Sequence, residues 1–210
     1  MDDFTLTSDA LRISIIGSAG RGEDLQKLDN SSFPRMVAET SRIAAKLAGD
    51  RPWAAVSGGA AWADHLAVVL FLEGIASALQ LHLPCEFTAS GFHDTGENGN
   101  ASWRTNPGAT LNRHHRNFAA KSGRDPFADI AKAMLLPRCW LLVTPRFFQR
   151  NSRVAEDVTD CIALTFGTGA RVKDGGTHDT MGKFLNRKDT GQSVHVDLHT
   201  MRAFSPARLV

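Results

Sequence analysis

The sequence predicts an α/β protein with a Rossmann-like, three-layer fold, in which helices cover both faces of a mostly parallel central sheet. Short apolar runs, rich in β-branched residues, alternate with stretches whose apolar residues recur at helical spacing. Several of these runs end at a glycine turn that leads into the next helix. Strands that alternate with helices are joined by right-handed crossovers and form a parallel sheet. We expect a single domain over residues 1–210, with a polar, partly helical insertion at about residues 89–140.

The first strand is predicted over residues 11–16, because Leu-Arg-Ile-Ser-Ile-Ile favours extended structure and stops at a glycine. Residues 20–31 are polar and are predicted to form a loop. Ser32 is placed to cap the helix that follows, and Pro34 fits the first turn of that helix. Gly49 ends the helix, since a glycine after the last periodic residue is a common C-cap.

Two more strands are predicted over residues 53–56 and 78–83, and a helix lies between them. The first of these strands runs directly into a Ser-Gly-Gly turn, and the second is closed by a proline. An apolar face that begins at Leu66 indicates the helix, which stops at Gly74. This pattern continues the strand–helix alternation of the first strand.

Residues 89–125 interrupt the alternation, because glycines and prolines divide a polar stretch. Short helices are predicted over residues 109–120 and 126–136. We interpret the whole as an insertion beside the core and expect it to act as a lid. Residues 139–143 are apolar and fit either a strand or the end of a helix.

The last third of the chain returns to regular alternation. Residues 147–158 are predicted to be helical and residues 160–166 to form the fourth strand. A helix follows over residues 177–185, with its apolar side chains on one side. Residues 193–198 alternate between apolar and polar side chains and are predicted to form the last strand.

Composition limits the classes of function. A net charge of +2 over 210 residues is too small for bulk nucleic-acid binding. The three cysteines are far apart and form no Cys-x-x-Cys pair, so we expect reduced thiols in the cytoplasm, no metal and no cofactor. The acidic N-terminus lacks the apolar core of a signal peptide. The longest apolar stretch, residues 66–72, is too short to span a membrane.

Four segments carry the candidate ligand-binding residues. Glycines let a backbone approach a ligand, helix N-termini attract phosphate, and arginines bind it with a bidentate fork. The candidates are Gly17, Ser18 and Arg21 in the first segment, Ser57, Gly58, Gly59 and Asp64 in the second, Arg150, Asn151 and Arg153 in the third, and Gly175, Gly176, Thr177 and Thr180 in the fourth. Lys173 and Asp174 could steer the ligand. Because strand ends meet at one edge of a parallel sheet, the segments could converge on one nucleotide-like ligand.

Several of these residues also have a purely structural interpretation. Asp64 could accept hydrogen bonds from ribose hydroxyls, or it could only favour the positive end of its helix dipole. Arg150 and Arg153 lie three residues apart and are expected on one helix face, which could bind a phosphate or only be solvated. His114 and His115 are adjacent and therefore cannot chelate one ion well, so we expect them on a solvated helix face.

These motifs resemble the SLOG superfamily of Rossmann-like nucleotide-binding domains, which includes the Smf/DprA, LOG and YpsA-like proteins. The first strand with Gly17-Ser18 is similar to the family's first glycine turn. The segment Ser57-Gly58-Gly59-Ala60-x-x-Ala63-Asp64 resembles Ser-Gly-Gly-Ala-x-Gly-Ala-Asp, with Trp62 where the second glycine is usual. Two further segments, Arg150-Asn151-x-Arg153-x-Ala155 and Gly175-Gly176-Thr177 with Thr180, resemble the Arg-Asn-Arg stretch and the Gly-Gly-Thr-x-x-Thr turn. The resemblance covers most of the chain outside the insertion.

The resemblance implies binding of a nucleotide or nucleotide-derived small molecule, such as an ADP-ribose-like ligand or a cyclic nucleotide, for signal sensing or sequestration. It also implies self-association into a homo-oligomer. It implies hydrolysis less directly, because LOG-type phosphoribohydrolases carry a Pro-Gly-Gly-x-Gly-Thr turn followed by a catalytic glutamate. The corresponding turn here is Lys173-Asp174-Gly175-Gly176-Thr177, which departs from that pattern.

Two alternatives stay open at this point. The first is a LOG-like nucleosidase or phosphoribohydrolase that cleaves an N-glycosidic bond, with Asp64, Asp179 or Glu156 as acid or electrostatic groups. The second is a DprA-like protein that binds single-stranded nucleic acid, which the near-neutral charge disfavours because that mode relies on many phosphate contacts. The sequence assigns no catalytic residue, and whether the protein is an enzyme stays open.

Overall fold

The computed structural model describes residues 11–88, 90–96 and 103–206. The acidic N-terminal residues and residues 97–102 of the expected insertion lie outside this part of the chain. The strands within it are β1 (Leu11–Gly17), β2 (Trp53–Ser57), β3 (Ala78–Leu83), β4 (Phe87–Thr88), β5 (Gly91–Phe92), β6 (Cys139–Val143), β7 (Asp160–Thr165), β8 (Ser193–Asp197) and β9 (Arg202–Phe204). The helices are α1 (Glu23–Lys27), α2 (Ser32–Ala48), α3 (Leu66–Leu72), α4 (Pro107–Ser122), α5 (Pro126–Met134), α6 (Phe147–Glu156) and α7 (Gly176–Leu185).

Seven strands form one sheet in the order β6-β3-β2-β1-β7-β8-β9. All neighbouring pairs are parallel except β8 and β9, which are antiparallel. The first strand lies near the centre, where Ile13 aligns with Ala55 on one side and with Asp160 on the other. The chain builds β2, β3 and β6 outward from β1, and then returns to place β7 and β8 on the other side. The predicted mostly parallel sheet is confirmed.

Helices cover both faces of this sheet, which confirms the three-layer α/β fold. Helices α2, α3, α4 and α5 lie together on one face, and α6 and α7 pack together on the other. The two layers have separate apolar cores. One contains Ile13, Ile15 and the fully buried Phe118, and the other contains Ile16 and Phe184.

The buried strands explain why the sequence folds this way. Every residue of β2, β3 and β7 is buried, as expected for parallel strands that are covered on both faces. Helix α2 buries one stripe of side chains that includes Met36 and Leu47, and it ends at Gly49 with φ of 59°. That left-handed conformation costs glycine little, which explains the stop predicted there.

Four details of the predicted secondary structure were wrong or incomplete. The polar stretch 20–31 contains the short helix α1. Helix α2 is capped by the Asp29 carboxylate, which accepts the N–H groups of Ser31 and Ser32, whereas the Ser32 hydroxyl donates to Asp29. The sequence pattern also missed the hairpin of β4 and β5 and the antiparallel edge strand β9.

The helices of the expected insertion belong to the core. Phe118 of α4 and Ile130 of α5 are buried in the apolar cluster on the α2–α3 face, and α5 packs against α3. The interpretation of α4 as part of a lid was therefore wrong, because its apolar face packs against α5 and the aromatic side chains of the core. Residues 139–143, which fitted a strand or a helix end, form β6 and pair with β3. Within the described residues, no helix combines the length and the apolar character that crossing a bilayer requires.

Candidate functional site

The candidate site lies at the carboxyl ends of β1 and β7. These neighbouring strands mark the point where the chain reverses its direction of travel across the sheet, and such switch points leave a crevice in α/β sheets. A cleft of about 200 Å³ opens there. The predicted residues that line this cleft are Gly17, Ser18, Arg21, Gly58, Asp64, Arg150, Asn151, Gly175, Gly176, Thr177 and Thr180. All four sequence segments therefore contribute to one site.

The first turn is built around the tight packing of Gly17. Its N–H donates to the Asp64 carboxylate at 3.1 Å, and the N–H of Ser18 donates to the Leu164 carbonyl at 2.8 Å. A Cβ on Gly17 would overlap that same carbonyl oxygen. Glycine is therefore required here to let β1 leave the sheet beside β7, whether or not a ligand approaches it.

A chain of polar contacts crosses the cleft from the first turn. The Ser18 hydroxyl donates to Asp24 Oδ2 at 2.9 Å and accepts the N–H of Gly20 at 3.2 Å. On the other side, Lys173 Nζ donates to Asp24 Oδ1 at 2.6 Å. Ser18 orients Asp24, and Asp24 holds the lysine at the edge of the cleft. Arg21 is exposed and also lines this edge.

The Ser-Gly-Gly turn after β2 contributes only one of its three residues to the cleft lining. The Ser57 hydroxyl is fully buried and donates to the Asp64 carbonyl at 3.0 Å. Gly59 has φ of 68° and lies against Leu83. Neither Ser57 nor Gly59 lines the cleft, so the structure does not bring these two predicted residues to it. Gly58 does line it, and a Cβ there would overlap the Arg150 guanidinium.

A buried ion pair forms the floor of the cleft. Arg150 Nη1 lies 3.4 Å from Asp64 Oδ2, and both side chains are more than nine-tenths buried. Asp64 also accepts the N–H groups of Gly17 and Ala60. Burial raises the pKa of Asp64 and lowers the pKa of Arg150, and the charge of each residue opposes the shift of the other. Asp64 therefore anchors two loops and Arg150, a role that the sequence did not indicate.

Arg150 has hydrogen-bonding capacity left over. Its buried Nε has no hydrogen-bond partner among the residues that the structure describes, although its side chain lines the cleft. Arg153 behaves differently, because its side chain is 62% exposed and pairs with Glu156 on the same helix. The expectation that Arg150 and Arg153 act from one face was wrong, since the first points inward and the second into solvent.

The amino end of α7 forms the opposite wall. Gly175 adopts φ of 130° immediately before the helix, and the described residues provide no side-chain cap. Asn151 Nδ2 donates to the Gly176 carbonyl at 3.3 Å and to Asp179 Oδ2 at 3.1 Å, which ties α6 to the first turn of α7. The N–H groups of this first turn and the positive end of the helix dipole face a cleft that Gly175, Gly176 and Thr177 line.

Comparisons with known proteins give one relative and no family model. The chain is 34% identical over 192 residues to "Uncharacterized protein R261" of Acanthamoeba polyphaga mimivirus. The match covers 90% of this chain and 98% of the mimivirus protein. The chain belongs to the same family as that protein. No family model matches the sequence. The name of that mimivirus protein states no activity, so the cleft itself is the basis for a proposed function.

Sequence reasoning missed two polar residues of the cleft. Asp24 lies on the unpredicted helix α1, and Thr165 ends β7. The Thr165 hydroxyl accepts the N–H groups of Gly167 and Lys173 at 3.1 Å each and contacts His195 Nε2. A polar residue at the carboxyl end of a buried strand was the available signal for Thr165. For Asp24 the signal was an acidic pair, Glu23 and Asp24, directly after a glycine turn.

Two histidines and two carboxylates that the sequence singled out in this chain lie outside the cleft lining. His114 and His115 are buried, so the expected solvated face was wrong, and burial lowers their pKa values to about 4 and about 3. Asp179 pairs with Lys183, and Glu156 is on the exposed face of α6; neither lines the cleft. Among the described residues, no group of three His, Cys, Asp or Glu side chains could hold a metal ion.

Proposed function

We propose that this protein is a SLOG-like domain that binds a phosphate-bearing nucleotide or nucleotide-derived small molecule in the cleft. The observation that carries the proposal is the buried Arg150, whose Nε lacks a hydrogen-bond partner among the described residues and which lines the cleft together with the amino end of α7. An unpaired donor in a buried site is costly unless a ligand or water satisfies it. A phosphate would meet both the guanidinium and the helix N-terminus.

The conformation of Trp62 supports the proposed relationship to SLOG domains. Trp62 stands where the SLOG pattern has its second glycine, and its φ of 60° lies in the left-handed region that glycine favours. The side chain is fully buried against Phe33 and Phe118. The backbone thus keeps the conformation that a glycine would adopt, while the indole fills the core.

We propose that the protein is located in the cytoplasm. The three cysteines are free, which fits a reducing compartment. The cleft is small and has few cations, which favours a small molecule over a nucleic-acid strand. For the nucleosidase alternative, Asp179 and Glu156 lie outside the cleft lining, and the Asp64 carboxylate already contacts Gly17, Ala60 and Arg150. Binding is therefore the better-supported function.

Titration calorimetry of the full chain with ADP-ribose, AMP and adenosine tests the proposal. We expect the phosphate-bearing compounds to bind and adenosine to bind much more weakly. Arg150→Met should abolish binding, whereas Arg153→Met, three residues along the same helix, should leave it unchanged. Gly176→Val is a second test, because a Cβ at Gly176 meets only Asn151, at 3.6 Å, and the added methyl groups would obstruct the cleft.

The same samples distinguish the alternatives. Release of free adenine from AMP would show the nucleosidase activity instead of simple binding. Salt-sensitive binding of a single-stranded oligonucleotide would support the nucleic-acid alternative. Normal binding by both Arg150→Met and Gly176→Val would show that the ligand occupies another site.

A further inference from the structure

The two edges of the central sheet differ in their chemistry. The edge strand β9 has only three residues and carries Arg202. Short, charged edge strands resist pairing with another chain. The other edge strand, β6, reads Cys-Trp-Leu-Leu-Val and has no charge. Leu142 and Val143 at its carboxyl end are 42% and 48% exposed. Proteins rarely leave an apolar edge of this kind open.

Within the described residues, the backbone of β6 has no partner on its outer side. Leu79 N–H donates to the Arg138 carbonyl and Thr144 N–H donates to the Leu83 carbonyl, both at 2.8 Å. Even-numbered residues therefore direct their peptide groups toward β3, because bonding alternates along a strand. The odd-numbered residues Cys139, Leu141 and Val143 direct their N–H and C=O groups outward. No other described residue bonds to these outward groups.

A second apolar group extends the surface at the amino end of β6. Met134 ends α5, Leu135 and Leu136 follow it, and the exposed fractions of the three residues are 44%, 86% and 40%. The edge thus has exposed apolar side chains at both ends of the strand. We name the surface formed by residues 134–136 and 139–143 the β6 edge.

We propose that the β6 edge pairs with the β6 edge of a second copy of this chain, in an antiparallel arrangement centred on Leu141. A two-fold axis at Leu141 places Cys139 of one copy opposite Val143 of the other. All three outward-directed residues then form hydrogen-bonded pairs, so the backbone groups of both strands are used. The central sheets of the two copies become one continuous sheet.

The side chains fit a second copy better than an unrelated strand. The two-fold axis sets Trp140 of one copy directly opposite Leu142 of the other, an aromatic–aliphatic cross-strand pair. It also brings the exposed carboxyl end of each β6 to the amino end of the other, where residues 134–136 lie. No charged residue between 139 and 143 opposes the pairing. An isologous interface requires self-complementarity of this kind.

Sedimentation velocity of the full chain at several concentrations tests this pairing. We expect a dimer that Val143→Lys converts to monomer, because the two introduced charges would lie at the apolar junction. Ala203→Lys, on the exposed strand at the opposite edge, is the matched control and should leave the dimer intact. A monomeric wild-type chain, or a Val143→Lys variant that dimerises like wild type, would overturn the proposal.

Cross-linking tests the register independently of dimer strength. Val143→Cys would lie opposite the natural Cys139 of the partner copy at a separation within the range that disulfides bridge. Oxidation should be done at alkaline pH, because burial raises the pKa of Cys139 to about 11. We expect a reducible dimer that disappears when Cys139→Ser is added. Leu142→Cys, which would face Trp140, should not cross-link, and equal yields from both variants would contradict the register.

Discussion

The Arg150 guanidinium and the Asp64 carboxylate lie in contact in the floor of the cleft, with 3.4 Å between Nη1 and Oδ2. The two residues are 86 positions apart and belong to α6 and to the turn after β2. Through Asp64, the arginine is also connected to the backbone of Gly17 and Ala60. Loop positioning and the proposed ligand binding thus involve the same charge pair.

The pair should be far more costly to break than to replace. Removing one member of a buried ion pair leaves the other charge without compensation, at a cost of about 3–5 kcal/mol. We therefore expect Asp64→Asn to lower the free energy of unfolding by about 3 kcal/mol. The double variant Asp64→Asn with Arg150→Met should recover part of that loss, since no buried charge is left. Urea unfolding measures both, and an additive double variant would show that the residues act independently.

Lys173 should contribute more to ligand affinity than to stability. Its Nζ contacts Asp24 at 2.6 Å, but the side chain is 43% exposed, so Lys173→Met should change the free energy of unfolding by less than about 1 kcal/mol. Loss of a charge-assisted hydrogen bond to phosphate should weaken binding by about tenfold or more. Lys183→Met is the control, because Lys183 pairs with Asp179 outside the cleft. Equal affinities for both variants would exclude Lys173 from the site.

Glycine should be tolerated better than alanine at Trp62. Either substitution removes a buried indole, at a cost of about 3–5 kcal/mol. The backbone has φ of 60°, and an L-residue in this region carries about 1–2 kcal/mol of strain that glycine avoids. We expect Trp62→Gly to be about 1 kcal/mol more stable than Trp62→Ala in urea unfolding. Ala67→Gly, inside α3, should show the opposite and ordinary preference for alanine.

Stability should fall as the solution is acidified below neutrality. Burial lowers the pKa of His115 from 6.5 to about 3 and that of His114 to about 4. In the unfolded chain both histidines bind a proton as the pH falls through 6.5, whereas in the folded protein they stay neutral. Each histidine should therefore lower the free energy of unfolding by about 1.4 kcal/mol per pH unit between pH 6 and about pH 4.5.

Replacing His115 isolates this effect. His115 packs beside Phe92 and Phe127, so His115→Phe keeps an aromatic ring at the site. We expect this variant to lose less stability than wild type between pH 7 and pH 4.5, as measured by urea unfolding at each pH. Carboxylates with lowered pKa values, such as Asp157, lose their contribution to the free energy of unfolding only at lower pH. An unchanged pH dependence would show that His115 is accessible to protons in the folded protein.

Strand periodicity and the position of glycine turns predicted the core sheet well. The predicted strand 78–83 coincides with β3, and the four glycine- and arginine-containing segments meet at one cleft. Apolar runs between turn residues determine such strands locally, so a sequence pattern can find them. The convergence of the segments follows from the rule that parallel strands present their carboxyl ends at one edge.

The errors concern features that depend on tertiary contacts. Helical spacing placed Arg150 and Arg153 together, but Asp64, from a distant turn, draws only the first inward. Gly59 was predicted to contact the ligand, but it lies against the Leu83 side chain of β3. The histidines of α4 looked solvated because they are polar, but tertiary packing buries them, and His65, Phe92 and Phe127 lie beside His115.

The central position of β1 has a consequence for biosynthesis. The Arg12 N–H bonds to Thr159, 147 residues later, so one side of the first strand stays open until β7 has been translated. A nascent chain that ends before β7 can pair β1 with β2 and β2 with β3, but it exposes an apolar strand edge and has no cleft. The chain must therefore be synthesised through β7 before the cleft can form. Termination before β7 would yield an aggregation-prone product that lacks this cleft.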